Sequence, residues 1–553
     1  MRKKPPAVDP VIKAAKPPLD PTGVPNLDLV LGGGLRRGAL TVLVGPPGCG
    51  KTTLAAQMAF AAGRAKRRVL ILTALSEPVG KLLLHLSGYE FFDEDLIGGP
   101  VTLLSLQQFM ADGFTALAAE VVALVRKERP SLVVLDGFSG IRAVDAEPKA
   151  AREFLFHVGS SLSLVGATTI VTTEAEIRDP AFFPEATTAD CILGLYFSVQ
   201  GEIQRRRIEV IKVRGAGQLP GLHGLAIDAT GMVISPRLEA RVVEAARAAR
   251  VRARSTGAPV APPVPALDAL PGRATFGLPA LDALMDGGLT PATTTLVIGG
   301  GGAGKTLLGL HFALAGVQAG EQVVFLGFHE EQHHLQLKAD AFSLGPALHA
   351  ALAPGGGLTL MHMPPVEVTV DALADELLAT LDRTGARRLV VDSIAVIERA
   401  VAEGSDADRV PGYLAALVTA LHARRITALF TKETGPFAGT ALALETDLSS
   451  AVAENVLWLQ GIIYLERFYR VLSVLKMRYS GHDLTLREFT ITAPAGIKVL
   501  PAGKSERGVL AGIAHQQGDP LRDHPPAGAT EPLPGRTTRA GPRQSARPKK
   551  GSV

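Results

Sequence analysis

A glycine-rich segment that ends in lysine and threonine occurs twice in the chain, and it limits the possible folds more than any other feature. The copies read GPPGCGKT at 45–52 and GGGGAGKT at 299–306. Both fit G-x-x-x-x-G-K-[ST], the phosphate-binding loop that joins a strand to a helix. An apolar run precedes each copy and a helical pattern follows it, so both copies have the context that this loop requires.

The residues of such a loop hold phosphate groups and a metal ion. Glycines let backbone N–H groups turn toward an anion, and the following helix directs its positive end at the same phosphates. The lysine neutralises phosphate oxygens, and the threonine hydroxyl binds Mg²⁺. The sequence thus predicts two nucleotide sites, formed by Gly45, Gly48, Gly50, Lys51, Thr52, Thr53, Gly299, Gly302, Gly304, Lys305, Thr306 and Leu307.

The repetition extends beyond the phosphate loops. The phrase TGVPNLD at 22–28 returns as TFGLPALD at 275–282, and Gly-Gly-Leu follows each. Because the separation between equivalent residues stays nearly constant along the chain, we infer two tandem copies of one domain. Apolar strand patterns alternate with helical patterns in each copy, which predicts an α/β fold with a mainly parallel sheet between helices.

The end of each copy has a different pattern. Closely spaced strands are predicted at 192–199 with 207–213, and again at 456–459 with 471–477. We expect these pairs to form an antiparallel extension of each sheet.

Composition divides the remaining chain. We place the two domains at 21–236 and 274–500, with an Arg/Pro-rich linker at 237–273 that opens as a helical pattern. The basic segments 1–20 and 501–553 are rich in proline and polar residues and are predicted to be disordered.

The charge distribution and the cysteines bear on partners and location. The net charge of +4 comes from the two ends and the linker, whereas the domains themselves are net acidic. This weakens the case for a nucleic-acid-binding face on the domains.

No apolar run reaches the roughly 18 residues that cross a bilayer, so we expect no membrane association. Two cysteines in different segments, Cys49 and Cys191, favour a reducing compartment and a cytoplasmic protein.

Carboxylates follow predicted strands at equivalent positions in both copies. Asp136 ends the apolar run 132–136, and Asp392 ends 388–392. One such aspartate alone is often a turn residue, but its recurrence predicts a Mg²⁺ site, shared with Thr52 and Thr306.

Glutamates follow the strand after each loop helix. Glu77 stands there in the first copy, and the adjacent pair Glu330 and Glu331 in the second. We predict that they orient the attacking water or accept its proton, the alternative being solvated glutamates at a helix start.

The second glutamate site also contains a zinc-protease pattern. His329 to His333 read H-E-E-Q-H, which satisfies H-E-x-x-H. That pattern requires both histidines on one continuous helix, whereas His329 directly follows an apolar strand. We therefore predict no zinc site.

Each copy ends its second terminal strand with Lys-x-Arg. The pairs are Lys212 with Arg214 and Lys476 with Arg478. Side chains two apart project from one face of a strand, so both cations can reach one anion. A solvated basic edge is the alternative, but the recurrence favours contact with a γ-phosphate, that of a neighbouring subunit.

These features, in this order and in each half, resemble the KaiC family of RecA-like ATPases. The resemblance covers about 22–235 and 274–500. It implies two RecA-like P-loop domains that bind ATP with Mg²⁺, and a homo-hexameric double ring with the Lys-x-Arg pairs acting in trans. It also implies slow ATP hydrolysis in the first ring and self-phosphorylation in the second.

The sequence departs from this family at the phosphorylated Ser-Thr pair. Ser450 matches the serine, but Ala451 stands where the threonine is expected. The resemblance therefore implies at most one phosphorylation site, at Ser450, and two-site clock behaviour is not expected.

The sequence thus predicts a KaiC-like Mg²⁺-ATP-dependent ATPase with a candidate serine/threonine autokinase in its second domain. It would act as an oligomeric signalling or timing switch that passes its state to an unidentified signalling protein. Two alternatives stay open. The basic tails fit a RecA-like DNA-dependent ATPase, which single-stranded DNA would stimulate. A nucleotide-gated scaffold with little turnover would assemble on ATP without hydrolysing it.

Overall fold

A computed structural model describes most of the chain. The described residues are 18–74, 79–110, 113–142, 148–175, 184–200, 202–215, 217–256, 272–404, 408–434, 452–464 and 467–501. The predicted disordered segments lie outside them, except for residues 18–20 and 501, as does most of the linker beyond residue 256. In the described part of the chain, no helix is long and apolar enough to cross a membrane.

The first copy is a nine-stranded sheet with helices, preceded by a two-stranded ribbon. The ribbon strands are β1 (Leu19–Asp20) and β2 (Leu35–Arg36). The sheet strands are β3 (Leu40–Val44), β4 (Val69–Thr73), β5 (Val101–Ser105), β6 (Leu132–Asp136), β7 (Thr168–Thr173), β8 (Cys191–Gln200), β9 (Ile203–Val213), β10 (His223–Asp228) and β11 (Gly231–Ser235). The helices are α1 (Leu27–Val30), α2 (Lys51–Arg64), α3 (Val79–Leu86), α4 (Gln107–Met110), α5 (Gly113–Glu128), α6 (Phe138–Arg142), α7 (Pro148–Leu164), α8 (Pro184–Thr188) and α9 (Leu238–Thr256).

The second copy repeats this architecture. Its strands are β12 (Thr294–Gly299), β13 (Val323–Gly327), β14 (Leu358–His362), β15 (Arg388–Asp392), β16 (Thr427–Glu433), β17 (Asn455–Tyr464), β18 (Arg467–Met477), β19 (Arg487–Thr492) and β20 (Gly496–Val499). Its helices are α10 (Pro279–Leu284), α11 (Lys305–Gln318), α12 (Gln332–Ala341), α13 (Gly345–Leu352), α14 (Val370–Thr384), α15 (Ile394–Gly404) and α16 (Arg409–Ala423).

The two sheets have the same strand order. The first runs β11-β10-β9-β8-β3-β7-β6-β4-β5, and the second runs β20-β19-β18-β17-β12-β16-β15-β13-β14. The mainly parallel fold class is confirmed. The predicted antiparallel pairs are also confirmed, β8 with β9 and β17 with β18, while β8 and β17 themselves run parallel to the phosphate-loop strands β3 and β12. The antiparallel extension therefore begins one strand later, at β9 and β18.

The central strand of each sheet is buried on both faces, which explains its uninterrupted apolar sequence. In β3, Leu43 packs with α2, while Val42 and Val44 pack on the opposite face against α7. Helix α2 is rich in alanine, so it approaches the sheet closely. This burial places each phosphate loop at the carboxyl edge of the middle of a parallel sheet, where ligands of such folds bind.

Two segments outside the predicted domain bounds take part in the folded structure. Leu19 and Asp20, predicted to be disordered, pair with β2. Asp20 is buried and forms ion pairs with Arg37 at 3.1 Å and Arg67 at 2.8 Å, and such pairing explains how a charged residue enters the interior. The linker begins with helix α9, whose first residue, Leu238, belongs to the apolar core of the second copy.

Candidate active site

The first phosphate loop joins β3 to α2 and depends on glycines with positive φ. Gly48 has φ 74° and Gly50 has φ 101°, a region that favours glycine. A Cβ on Gly50 would also lie 2.7 Å from Met232. The Lys51 ammonium donates to the carbonyl oxygens of Gly45 at 2.9 Å and Pro46 at 2.8 Å. The lysine is thus folded over its own loop, where phosphate oxygens would lie.

Asp136 meets the loop threonine, as predicted. The Thr52 hydroxyl donates to the Asp136 carboxylate at 3.0 Å, and Thr172 of the neighbouring strand donates at 2.6 Å. Burial raises the pKa of Asp136, while these two hydroxyls and Lys51 act in the opposite direction. A carboxylate beside a threonine hydroxyl, next to a phosphate site, is the oxygen donor set that Mg²⁺ takes. The residues therefore fit the expected metal.

The second loop repeats the geometry of the first. Gly302 has φ 70° and Gly304 has φ 97°. The Lys305 ammonium donates to the carbonyl oxygens of Gly299 at 2.9 Å and Gly300 at 2.8 Å.

The second strand-end aspartate also lies beside a threonine. Asp392 accepts a hydrogen bond from Thr431, which matches Thr172 of the first copy. Burial lowers the pKa of Lys305, against the raising effect of the carboxylates of Glu433 and Asp392.

Both loops open into clefts that can hold a nucleotide. The first has a volume of about 530 Å³ and the second about 630 Å³. The lining includes the predicted residues Gly48, Gly50, Lys51, Thr52, Thr53 and Asp136 in the first cleft, and Gly302, Gly304, Lys305, Thr306, Leu307 and Asp392 in the second. Gly45 and Gly299 contribute through the carbonyl groups that accept from the lysines.

The structure separates the two glutamates of the second copy. Glu330 lines the cleft and forms an ion pair with Lys338 of α12. Its Oε2 atom is buried and has no hydrogen-bond partner in the described part of the chain, so this oxygen can accept a proton from a group in the cleft. Glu331 precedes α12 as its exposed N-cap residue. Glu77, the candidate of the first copy, lies outside the described residues.

The zinc-protease pattern does not form a metal site. His329 and Glu330 precede α12, which begins at Gln332, so the two histidines are not on one continuous helix. Among the residues that the structure describes, no group of three or more His, Cys, Asp or Glu side chains could hold a metal ion.

The Lys-x-Arg pairs lie away from the clefts of their own copies. Lys212 pairs with Ile192 at the start of β8, and Lys476 with Val456 at the start of β17, near the amino edge of each sheet. Each lysine donates to a backbone carbonyl at 2.7 Å, and Arg214 forms an ion pair with Asp190 at 3.4 Å. Burial lowers the pKa of both lysines, and the nearby arginine of each pair lowers it further.

Several cleft residues were not found from the sequence. Glu174 and Glu433 follow or end the strand beside the phosphate-loop strand and line the two clefts. A Cβ on Gly301 would lie 2.9 Å from the Glu433 carboxylate, so this group lies directly against the loop. Arg206 and Arg470 line the same clefts from equivalent positions of β9 and β18. Each of these residues recurs at the equivalent position of the other copy, and this recurrence is the sequence signal that could have indicated them.

Comparison with known proteins covers both copies. The chain matches the family described as the KaiC ATPase over residues 20–96, 99–239 and 274–504. It is 25% identical over 505 residues to the circadian clock oscillator protein KaiC of Thermostichus vulcanus, with 89% of this chain and 91% of that protein covered. The KaiC protein of Picosynechococcus sp. is 25% identical over 483 residues, covering 85% and 87%. The circadian clock protein KaiC3 of Synechocystis sp. is 24% identical over 510 residues, covering 89% and 93%.

Proposed function

The chain belongs to the KaiC family of ATPases, and on this premise we propose that it hydrolyses ATP with Mg²⁺ at both clefts. The observation that carries the proposal is the duplicated arrangement of loop lysine, loop threonine and strand-end aspartate. Lys51 and Lys305 exchange their loop carbonyls for phosphate oxygens when nucleotide binds. Thr52 with Asp136, and Thr306 with Asp392, hold the metal, which neutralises charge on the phosphate oxygens.

In the second cleft, Glu330 is the group that we propose to position the attacking hydroxyl. Lys338 holds one carboxylate oxygen, and Oε2 is left to accept a proton from water or from a serine side chain. Glu77 has the same role in the first cleft by position in the sequence. We propose both hydrolysis and autophosphorylation at the second cleft, with Ser450, which lies outside the described residues, as the acceptor of the second reaction.

We further propose that the protein is a cytoplasmic homo-hexamer. The position of Lys212/Arg214 and Lys476/Arg478, away from their own clefts, supports contact with the nucleotide of a neighbouring subunit. An oligomer with nucleotide at its subunit interfaces couples hydrolysis to ring shape, which suits a signalling or timing switch that acts on a partner protein. The names of the relatives, which are circadian clock proteins, motivate the timing role.

The test combines intact-mass measurement with phosphate release on purified protein incubated with Mg²⁺-ATP. Phosphate release that falls in Lys51→Ala and falls again on adding Lys305→Ala supports hydrolysis at both clefts. A gain of one phosphate that disappears in Ser450→Ala supports the autokinase. Light scattering gives the oligomer size with and without ATP.

Other outcomes favour the alternatives. Hydrolysis that rises several-fold with single-stranded DNA, and not after removal of residues 501–553, would favour the DNA-dependent ATPase. Assembly on ATP without phosphate release would favour the scaffold.

A further inference from the structure

A third cavity, of about 330 Å³, lies where β9 and β10 of the first copy meet α14 and α15 of the second. No phosphate-loop residue lines it. The charged side chains in its lining are four arginines and two carboxylates, namely Arg205, Arg206, Arg207, Arg409, Glu367 and Asp371. The lining therefore carries an excess of positive charge.

Asp371, one of the two lining carboxylates, already binds Arg409. Arg409 donates to Glu239 at 2.7 Å and 2.9 Å and to Asp371 at 2.6 Å. The same Asp371 oxygen accepts from the backbone N–H of Leu238 at 3.2 Å. Asp371 Oδ1 is thus hydrogen-bonded by Arg409 and Leu238, and the Asp371 charge only partly offsets the positive charges around Arg207.

The arginines of β9 are incompletely paired. Arg207 donates to the carbonyl oxygen of Gly404, the last residue of α15. Among the residues that the structure describes, the Nε atoms of Arg205 and Arg206 are buried and have no hydrogen-bond partner. Within the described residues, neither of these two guanidinium groups forms an ion pair with a carboxylate. A buried donor or cation in this condition is unfavourable unless another group compensates it.

The charges around Arg207 are also mainly positive. Burial lowers the pKa of Arg207, and the positive charges of Arg409 and Arg205 lower it further, against the raising effect of Asp371. The amino end of α14, a helix of 15 residues, also faces the cavity through Thr369 and Ala372. A helix amino end favours negative charge, so two independent features of the cavity, the arginines of β9 and this helix end, favour an anion.

We propose that this cavity binds a small multivalent oxyanion, held by Arg205 and Arg207 from the first copy and by the amino end of α14 from the second. The planar guanidinium fork matches both phosphate and carboxylate groups, so the shared chemistry is that of an oxyanion with two or more charges. Because its ligands come from both copies, the anion joins the two domains. This role is separate from catalysis at the phosphate loops.

Isothermal titration calorimetry on the full chain tests the proposal. Both nucleotide clefts are first saturated with a non-hydrolysable ATP analogue and an equal concentration of Mg²⁺, so that added anion does not enter them and little free Mg²⁺ remains to chelate it; the heat of titrating the same solution without protein is subtracted. Inorganic pyrophosphate and citrate are titrated separately, which distinguishes a phosphate ligand from a carboxylate ligand. Binding of one anion per chain is expected, with an accompanying rise in the unfolding temperature.

Three variants distinguish anion binding in this cavity from nonspecific attraction to the charged surface. Arg205→Gln should raise the dissociation constant about tenfold or more, the loss expected for a charge-assisted hydrogen bond. Arg247→Gln removes an exposed arginine of α9 and should leave the constant unchanged. Arg207→Gln is a second variant, used if Arg205→Gln unfolds early without anion. The proposal fails if neither anion binds wild type, or if both cavity variants bind like Arg247→Gln.

Discussion

Arg409 is expected to be one of the largest single contributors to the stability of the described structure. It lies at the start of α16 and joins α9 to α14 through Glu239 and Asp371. The three side chains are only 12%, 17% and 8% exposed. The change Arg409→Met keeps the apolar stem and removes the charge and all three hydrogen bonds.

The magnitude follows from burial. Removing one partner of a buried ion pair costs about 3–5 kcal/mol, because the remaining charge stays in the interior without compensation. Here two carboxylates would remain. The pair of Arg424 with Asp382 has similar distances, 2.8 Å and 2.9 Å, but its side chains are 27% and 57% exposed. An exposed pair is worth about 0–1 kcal/mol, so Arg424→Met is the matched control.

Urea unfolding followed by tryptophan fluorescence measures the difference. Trp458 is the only tryptophan of the chain and packs against the core of the second copy, so its emission reports that domain. We expect Arg409→Met to lower the unfolding midpoint much more than Arg424→Met. Equal shifts for the two variants, or a loss below about 1 kcal/mol for Arg409→Met, would refute the burial argument.

Three further predictions concern the clefts and the contact between the two copies. Thr172→Val should raise the Mg²⁺ concentration for half-maximal phosphate release at the first cleft about fivefold, because Asp136 loses a hydrogen bond. Thr173→Val is its control, since the Thr173 hydroxyl has no hydrogen-bond partner among the described residues. Both variants are measured in the Lys305→Ala background, which silences the second cleft, and equal effects of the two would contradict the reasoning. In the Lys51→Ala background, Glu330→Gln should slow phosphate release at the second cleft about 100-fold, whereas Glu331→Gln should change it little. A larger effect of Glu331→Gln than of Glu330→Gln would be decisive against Glu330. Burial raises the pKa of Asp375 from 3.8 to about 6, against the lowering effect of Arg241. The contribution of protonated Asp375 to the free energy of unfolding is therefore full at low pH and is lost as pH rises through about 6. Asp375→Asn should flatten the urea midpoint between about pH 4 and pH 7, and an unchanged slope would exclude this role.

The phosphate loops were predictable because their requirements are local. Gly50 and Gly304 have positive φ, which a few neighbouring residues impose and which only glycine meets without strain. The lysine and threonine follow at once in the chain. The duplication then made Asp136 and Asp392 the candidate metal ligands, since a single strand-end aspartate would not have distinguished a site from a turn.

Other cleft residues were not predictable with the same certainty. Glu330 and Glu331 are adjacent in sequence, and only the turn before α12 brings one to the cleft and leaves the other exposed. Glu433 reaches the second loop through the pairing of β16 with β12. Arg206 and Arg470 lie on strands whose distance from the loops depends on the order of the whole sheet.

The sequence by itself determined the two copies, their α/β class and the phosphate loops, because repetition, hydrophobic periodicity and glycine conformation are properties of short segments. Only the tertiary structure decided which distant side chains meet. Thr172 reaches Asp136 across paired strands, and Arg207 reaches Gly404 across the contact between the copies. Such contacts depend on how elements pack after they form, and no local pattern encodes them. The cavity between the copies therefore came from the structure alone.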